Sequence, residues 1–347
     1  MPCLSCHKLP AQDPYNMVEA SQNGSTPGST MPDAVYGFIG LGNMGFGMAK
    51  NLRASMPKQC KLVVCELNTE RRDEFASSVV GLIEVADSPK SVAEQCDIVL
   101  TSLPNGNAVK KVFTDPFNGL LSASSSGRKK FFLETSTIEV RTSNEVLKEV
   151  ETSGLGDFID CPVSGGIPGA EQGNLTFMVG GNKDLFERAK PILATMGKEK
   201  NLIFCGPPGA GLATKQINNY VANVSYVALC EGMNTGIRYG LDPKVLAGKS
   251  GMSWNSLHMN PVKGVQPGSS ASKDFKGGFR TELAKGVTDM AVQLMDDVGA
   301  KHVMADVVKD IYARAVNHPK CAGQECRSIY KLFSENDGQD LGTTSIE

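Results

Sequence analysis

The sequence predicts an α/β protein whose N-terminal part is a doubly wound, Rossmann-type parallel sheet and whose C-terminal part is an all-α domain. Three observations carry this. Short, nearly uninterrupted apolar runs alternate with helical stretches; a glycine turn follows the first run; and strand-like runs cease after Phe204. Apolar strands alternating with helices imply a sheet covered on both faces and largely parallel. The chain has 347 residues, more than one ordinary domain and comfortable for two.

The first run, Val35-Tyr36-Gly37-Phe38-Ile39, leads into Gly40-Leu41-Gly42-Asn43-Met44-Gly45 and then the helical Met48-Ala49-Lys50-Asn51-Leu52. This strand–turn–helix context is what gives a GxGxxG spacing meaning in a glycine-rich chain. Gly40 makes the tight turn, Gly42 lets a pyrophosphate approach the backbone, and Gly45 permits close helix packing. The helix N-terminus offers free N–H groups and partial positive charge to the phosphates. A second strand, Leu62-Val63-Val64-Cys65, ends in Glu66, about twenty residues beyond the last glycine. Glu66 reads either as a surface glutamate or as the acceptor for the adenine ribose hydroxyls; the second reading favours NAD, while Arg71 and Arg72 keep NADP open. Further strands are expected at 97–103, 131–133, 158–159, 176–179 and 202–204. Leu103-Pro104 and Glu134-Thr135-Ser136-Thr137 lie at strand carboxyl ends, where the nicotinamide half should rest.

Gly206-Pro207-Pro208-Gly209 is a turn, after which the chain reads as one long helix to about Tyr239, closed by Gly240. Helices are also expected at Leu283–Val298 and Val303–Val316, with a Pro/Gly/Ser loop from Asn260 to Gly278 between. The predicted layout is a disordered tail over 1–33, a dinucleotide-binding domain over 34–200, a helical substrate and dimerisation domain over 201–335, and a loose tail over 336–347. The opening segment holds one lysine, no arginine, and the acidic Asp13 and Glu19, unlike a transit peptide.

Composition excludes several classes. With 35 basic and 37 acidic side chains there is no charge surplus to draw nucleic acid or an anionic membrane. No apolar stretch approaches the roughly 20 residues needed to cross a bilayer. Most of the ten cysteines sit singly in apolar runs, as small buried hydrophobes do in a reducing compartment. Cys3-Leu4-Ser5-Cys6-His7 matches a haem-attachment spacing without the secretory route or pocket it needs. Zinc on Cys3 and Cys6 would have to be completed by Cys321 and Cys326 at the other end of the chain, so no metal is expected.

Two clusters carry candidate chemistry. Asp160-Cys161-Pro162-Val163-Ser164-Gly165-Gly166 offers a hydroxyl and adjacent unhindered N–H groups; it is either a carboxylate seat or a tight structural turn. Lys215 and Asn219 are four apart on the long helix and share a face. Lys215 reads as a solvated surface lysine or, if that face closes on the cofactor, as an acid/base group whose pKa must be brought down. Lys285, early in a later helix, says little by spacing alone.

These clusters in this order resemble the β-hydroxyacid dehydrogenase family, from about Tyr36 to Phe333. Gly37-Phe38-Ile39-Gly40-Leu41-Gly42-Asn43-Met44-Gly45, Pro162-Val163-Ser164-Gly165-Gly166, Gly173-Asn174-Leu175-Thr176-Phe177-Met178-Val179-Gly180-Gly181 and Lys215 with Asn218-Asn219 carry the likeness. The resemblance implies a catalytic Lys215 with Asn219, substrate contacts at Ser164, Gly165 and Gly166, and cofactor contacts at Leu103, Pro104, Asn107, Thr137 and Lys285. It also implies a small β-hydroxyacid substrate, assembly as a homodimer or homotetramer, and a mitochondrial location, where the N-terminal composition points to the cytosol. Gly240-Leu241-Asp242-Pro243 and Asn260-Pro261-Val262 narrow the implied reaction to oxidation of 3-hydroxyisobutyrate to methylmalonate semialdehyde in valine breakdown. Reduction of tartronate or succinic semialdehyde and a non-catalytic dinucleotide-binding module are the alternatives. The chain departs from the family pattern at Gly286, where aspartate is usual, and at Lys263, where proline is common.

Overall fold

The computed structural model describes residues 31–124, 127–247 and 260–334, which fall in one compact unit. Cys3, Cys6 and most of the two expected tails lie outside the described residues. Strands β1 (Tyr36–Ile39), β2 (Lys61–Cys65), β3 (Leu82–Val85), β4 (Ile98–Thr101), β5 (Lys130–Glu134) and β6 (Gly156–Asp160) form a parallel sheet in the order β3-β2-β1-β4-β5-β6. The order reverses between β1 and β4, so a crevice opens at their carboxyl ends, the place where ligands bind in sheets of this kind. Beyond β6 the sheet changes direction. β8 (Leu175–Gly180) runs antiparallel to β6 and to the short β7 (Val163–Ser164), and β9 (Gly197–Gly206) runs parallel to β8.

Alternation along each strand sends side chains to opposite faces, and each face has its own core. One holds Phe38, Leu62, Val64, Leu100, Phe131 and Leu133 under helix α1 (Gly45–Ser55) and α7 (Lys183–Leu193). The other holds Val63, Val99, Phe132 and Phe158 under α3 (Pro89–Gln95), α4 (Gly106–Thr114) and α5 (Val140–Ser153). Fully burying one such phenylalanine is worth about 1.5–3 kcal/mol. This two-faced burial is why the strands read as continuous apolar runs. The edge strands are the exceptions: β3 is partly exposed along its length, and so is most of β9.

After β9 the chain turns through Gly209 (φ 86°) into α8 (Ala210–Tyr239), a helix of 30 residues ended by Gly240 in the left-handed conformation. Helices α10 (Thr281–Asp297) and α11 (Ala305–Ala315) pack on it around Tyr226, Cys230, Met233, Ala284, Tyr312 and Ile329. Within this apolar core a polar thread is satisfied internally. Asn223 Nδ2 donates to Thr288 Oγ1 (2.8 Å), and Tyr312 donates to Asn223 Oδ1 (3.3 Å). Among the described residues, the part after Gly206 contains helices and turns and one isolated bridge between Arg280 and Glu325.

Candidate active site

The turn after β1 is shaped for a dinucleotide. Gly40 has φ 95°, and a Cβ there would meet the Ser102 carbonyl oxygen at 2.2 Å. A Cβ on Gly45 would lie 1.9 Å from the Gly40 carbonyl oxygen, so α1 can start this close to the strand only with glycine. Over Gly42, by contrast, a Cβ would meet nothing within 4 Å, which leaves the backbone approachable. Met44 at the helix N-cap position makes no side-chain cap, so no capping side chain covers the start of α1, where Phe46 N–H donates to Gly42 O (3.1 Å). Glu66 leaves β2 directly opposite: its Oε2 accepts from Leu41 N–H (2.6 Å) and its Oε1 from Asn68 N–H (2.8 Å). Each carboxylate oxygen has a second lone pair for a ribose hydroxyl. Arg71 lies across the same mouth, with Nε donating to Leu41 O (3.0 Å) and its guanidinium 4.0 Å above the Phe46 ring. The residues present therefore fit the adenosine half of NAD, with an arginine at hand for NADP.

At the switch point, the ends of β4 and β5 are held together by a buried carboxylate. Glu134 accepts from Thr101 Oγ1 (2.8 Å) and Ser136 N–H (2.6 Å), and Ser136 Oγ in turn accepts from Leu103 N–H (2.7 Å). Burial pushes the Glu134 carboxyl up to about 7, with its neighbour Asp160 adding to the rise. Leu103 and Thr137, the expected nicotinamide contacts, flank this cluster and are partly exposed; Pro104 and Asn107 are exposed beside them.

Lys215 sits in the second turn of α8, and that turn is fixed twice. The Asp160 carboxylate, at the end of β6, accepts from Gly209 N–H (2.7 Å) and Leu212 N–H (2.9 Å). It thus caps a helix that has no capping side chain of its own. Next to Lys215, Gln216 Nε2 donates to Ile138 O (2.8 Å), one residue beyond Thr137. The lysine is consequently 9% exposed, and burial pushes its amine down to about 8. Asn219, one turn on, is half-buried, whereas Asn218 is exposed. Ser164 lies in β7 opposite Thr176 of β8, and Gly165 and Gly166 follow it as an exposed left-handed turn.

Lys285 lies in the second turn of α10 and pairs with Asp289 (2.7 Å). Burial is the cause of the lowered Lys215 amine. A Cβ at Gly286 would meet nothing within 4 Å, and Lys263 makes an exposed ion pair with Asp274, so both departures from the family pattern are sterically unforced. Asp160 and Glu134 enter the expected motifs only as members, with no role of their own, and Gln216 is not singled out. The available signal for Asp160 was the missing cap: a long helix opened by glycine needs an acceptor from elsewhere in the chain.

Among the described residues no group of three or more His, Cys, Asp or Glu side chains could hold a metal, and no helix is long and apolar enough to cross a membrane.

Comparison with known proteins agrees with this geometry. Residues 35–206 match a family profile described as the NAD-binding domain of 6-phosphogluconate dehydrogenase. Residues 209–345 match one described as NAD-binding of NADP-dependent 3-hydroxyisobutyrate dehydrogenase. Fold and site define an NAD(P)-dependent oxidoreductase of the β-hydroxyacid dehydrogenase class. The human mitochondrial 3-hydroxyisobutyrate dehydrogenase is 41% identical over 305 residues, 87% of each chain, and the mouse protein is 42% identical over 71% of each. A structure of the Mycobacterium tuberculosis 3-hydroxyisobutyrate dehydrogenase with L-serine superposes with a TM-score of 0.77 at 30% identity, covering 87% of this chain and 99% of that one. The chain belongs to the 3-hydroxyisobutyrate dehydrogenase family.

Proposed function

We propose that this chain oxidises 3-hydroxyisobutyrate to methylmalonate semialdehyde, a step of valine breakdown, with NAD preferred over NADP. The observation that carries the reading is Lys215: an amine buried on α8, next to the Gln216 that bonds Ile138 O beside Thr137, and brought down to about 8. A solvated surface lysine would have neither property. The bound nicotinamide supplies the hydride acceptor. Ser164 and the N–H groups of Gly165 and Gly166 seat the substrate carboxylate, which fixes the carbinol carbon. Neutral Lys215 takes the hydroxyl proton as the C–H bond breaks, leaving a lysine ammonium and an aldehyde. Asn219, on the same helix face, holds amine and hydroxyl in line. Proton transfer of this kind is typically worth about 10²–10⁴-fold. Leu103, Pro104, Asn107, Thr137 and Lys285 line the cofactor's path, with Gly40–Gly45 and Glu66 at its adenosine end.

Turnover of 3-hydroxyisobutyrate by the wild type and its loss in Lys215→Ala test the reading; turnover of glycerate, serine or 4-hydroxybutyrate alone would move the substrate. We also propose assembly as a homodimer or homotetramer through the helical part, because α8 leaves Ile217 and Val221, one turn apart, about half exposed. Sedimentation equilibrium should then give two or four times the 36.9 kDa chain mass; a monomer at micromolar concentration would contradict it.

A further inference from the structure

The turn read above as the carboxylate seat is tied to the dinucleotide helix by one side chain that the proposed reaction does not use. Asn51 lies in the second turn of α1. Its Nδ2 donates to the carbonyl oxygens of Ala170 (2.7 Å) and Glu171 (3.3 Å), and to Gly47 O (2.9 Å) in its own helix. Ala170 and Glu171 are the last two residues of α6 (Gly166–Glu171), the short helix that continues from Ser164-Gly165-Gly166. Carbonyls at a helix end have no partner within the helix, so Asn51 satisfies acceptors that α6 cannot. Beside this contact the helices meet backbone to backbone: a Cβ on Gly47 would lie 2.8 Å from the Ala170 carbonyl carbon. α1 begins at the pyrophosphate turn, and α6 begins at the substrate turn. Their junction therefore sets the separation between the two.

We infer that Asn51 is a positioning residue for the hydroxyacid: it holds turn 164–166 at a fixed distance from turn 40–45, and so holds the substrate against the nicotinamide. This rests on the proposed function above. The side-chain amide is spent on the carbonyls of Gly47, Ala170 and Glu171, outside both turns, so its loss should fall on substrate use and leave dinucleotide binding nearly intact.

The test uses Asn51→Leu, the near-isosteric non-donor Asn51→Asp, and Gly47→Ala, which pushes the same junction apart while keeping the Asn51 side chain. Three readouts are compared with wild type: KM and kcat for 3-hydroxyisobutyrate, the Kd for NADH by fluorescence titration, and hydrogen exchange of residues 164–172. Loss of the tether should raise KM about tenfold or more, lower kcat, and speed exchange at 164–172, while the NADH Kd moves less than about twofold. Unchanged KM with unchanged exchange would overturn the inference, as would equal losses in NADH and hydroxyacid binding. A wild type that turns over no β-hydroxyacid would defeat the functional reading instead. Exchange at 164–172 would still decide the tether: unchanged rates in all three variants would refute it, and faster rates confined to that segment would support it.

Discussion

Lys215 is the side chain on which the chemistry turns, and its burial makes a quantitative prediction. An amine titrating at about 8 is neutral at pH 7 in about one molecule in ten, whereas at the ordinary 10.5 it would be neutral in about one in three thousand. At saturating NAD, kcat/KM for the hydroxyacid should therefore rise about tenfold between pH 7 and 9 and flatten above that. An ordinary lysine would give about a hundredfold rise over the same interval with no plateau. Lys215→Met should lose about 10²–10⁴ in kcat/KM, and Lys215→Arg should lose as much, because a guanidinium keeps the charge but is never a neutral base. The same burial predicts a stability gain. The folded pKa is depressed, so below about pH 8 the fold bears the full cost of a lysine that the unfolded chain holds charged, up to about 3 kcal/mol, and this cost fades between about 8 and 10.5. Lys215→Met should accordingly raise Tm at pH 7 while it abolishes turnover. A flat pH profile, or a methionine variant keeping more than about a tenth of wild-type kcat/KM, would refute the argument.

Two further outcomes follow from the carboxylates. Glu134 has a raised folded pKa, so the folded state holds the proton more tightly, and its contribution to stability is present below about 4.5 and lost as pH climbs to about 7. Glu134→Gln, which mimics the protonated form, should flatten that part of the stability-against-pH curve by up to about 3 kcal/mol, and parallel curves for the two proteins in urea titrations would contradict this. Glu66→Ala should weaken NAD and relatively favour NADP, since it removes the ribose acceptor and the charge that repels a 2′-phosphate while Arg71 stays in place. An unchanged NAD/NADP ratio of kcat/KM would show that Glu66 does not choose the cofactor.

Much of the fold was legible because burial on both sheet faces leaves a plain mark. The runs at Tyr36–Ile39, Leu62–Cys65, Ile98–Thr101 and Phe131–Leu133 are strands for that reason. The ends of α8 were legible too, between Pro207-Pro208-Gly209 and Gly240, because those residues punctuate a chain locally. Strand β3 was not foreseen. Val79-Val80-Gly81-Leu82-Ile83-Glu84-Val85 sits at an edge with Val80, Leu82 and Val85 exposed, and Gly81 and Glu84 interrupt its apolar run. Nor was the reversal of direction at β8, whose apolar run looks like that of a parallel strand. At the site, the glycine turn, Glu66 and Lys215 could be singled out because spacing and type carry them. Their supports could not. Asp160 caps α8 from 49 residues away, and Asn51 reaches Ala170 across 119, and no local pattern encodes such contacts. The burial of Lys215, which decides between solvated lysine and proton carrier, likewise arises only when α8 docks on the sheet.

The most direct test is the initial rate of NAD and NADP reduction with 3-hydroxyisobutyrate, beside serine, glycerate and 4-hydroxybutyrate, for wild type and Lys215→Ala. The account predicts turnover of 3-hydroxyisobutyrate ahead of the others, faster with NAD, and lost in the variant although it still binds NAD. No turnover of any of the four acids by a wild type that binds NAD would contradict it and leave a dinucleotide-binding module without catalysis.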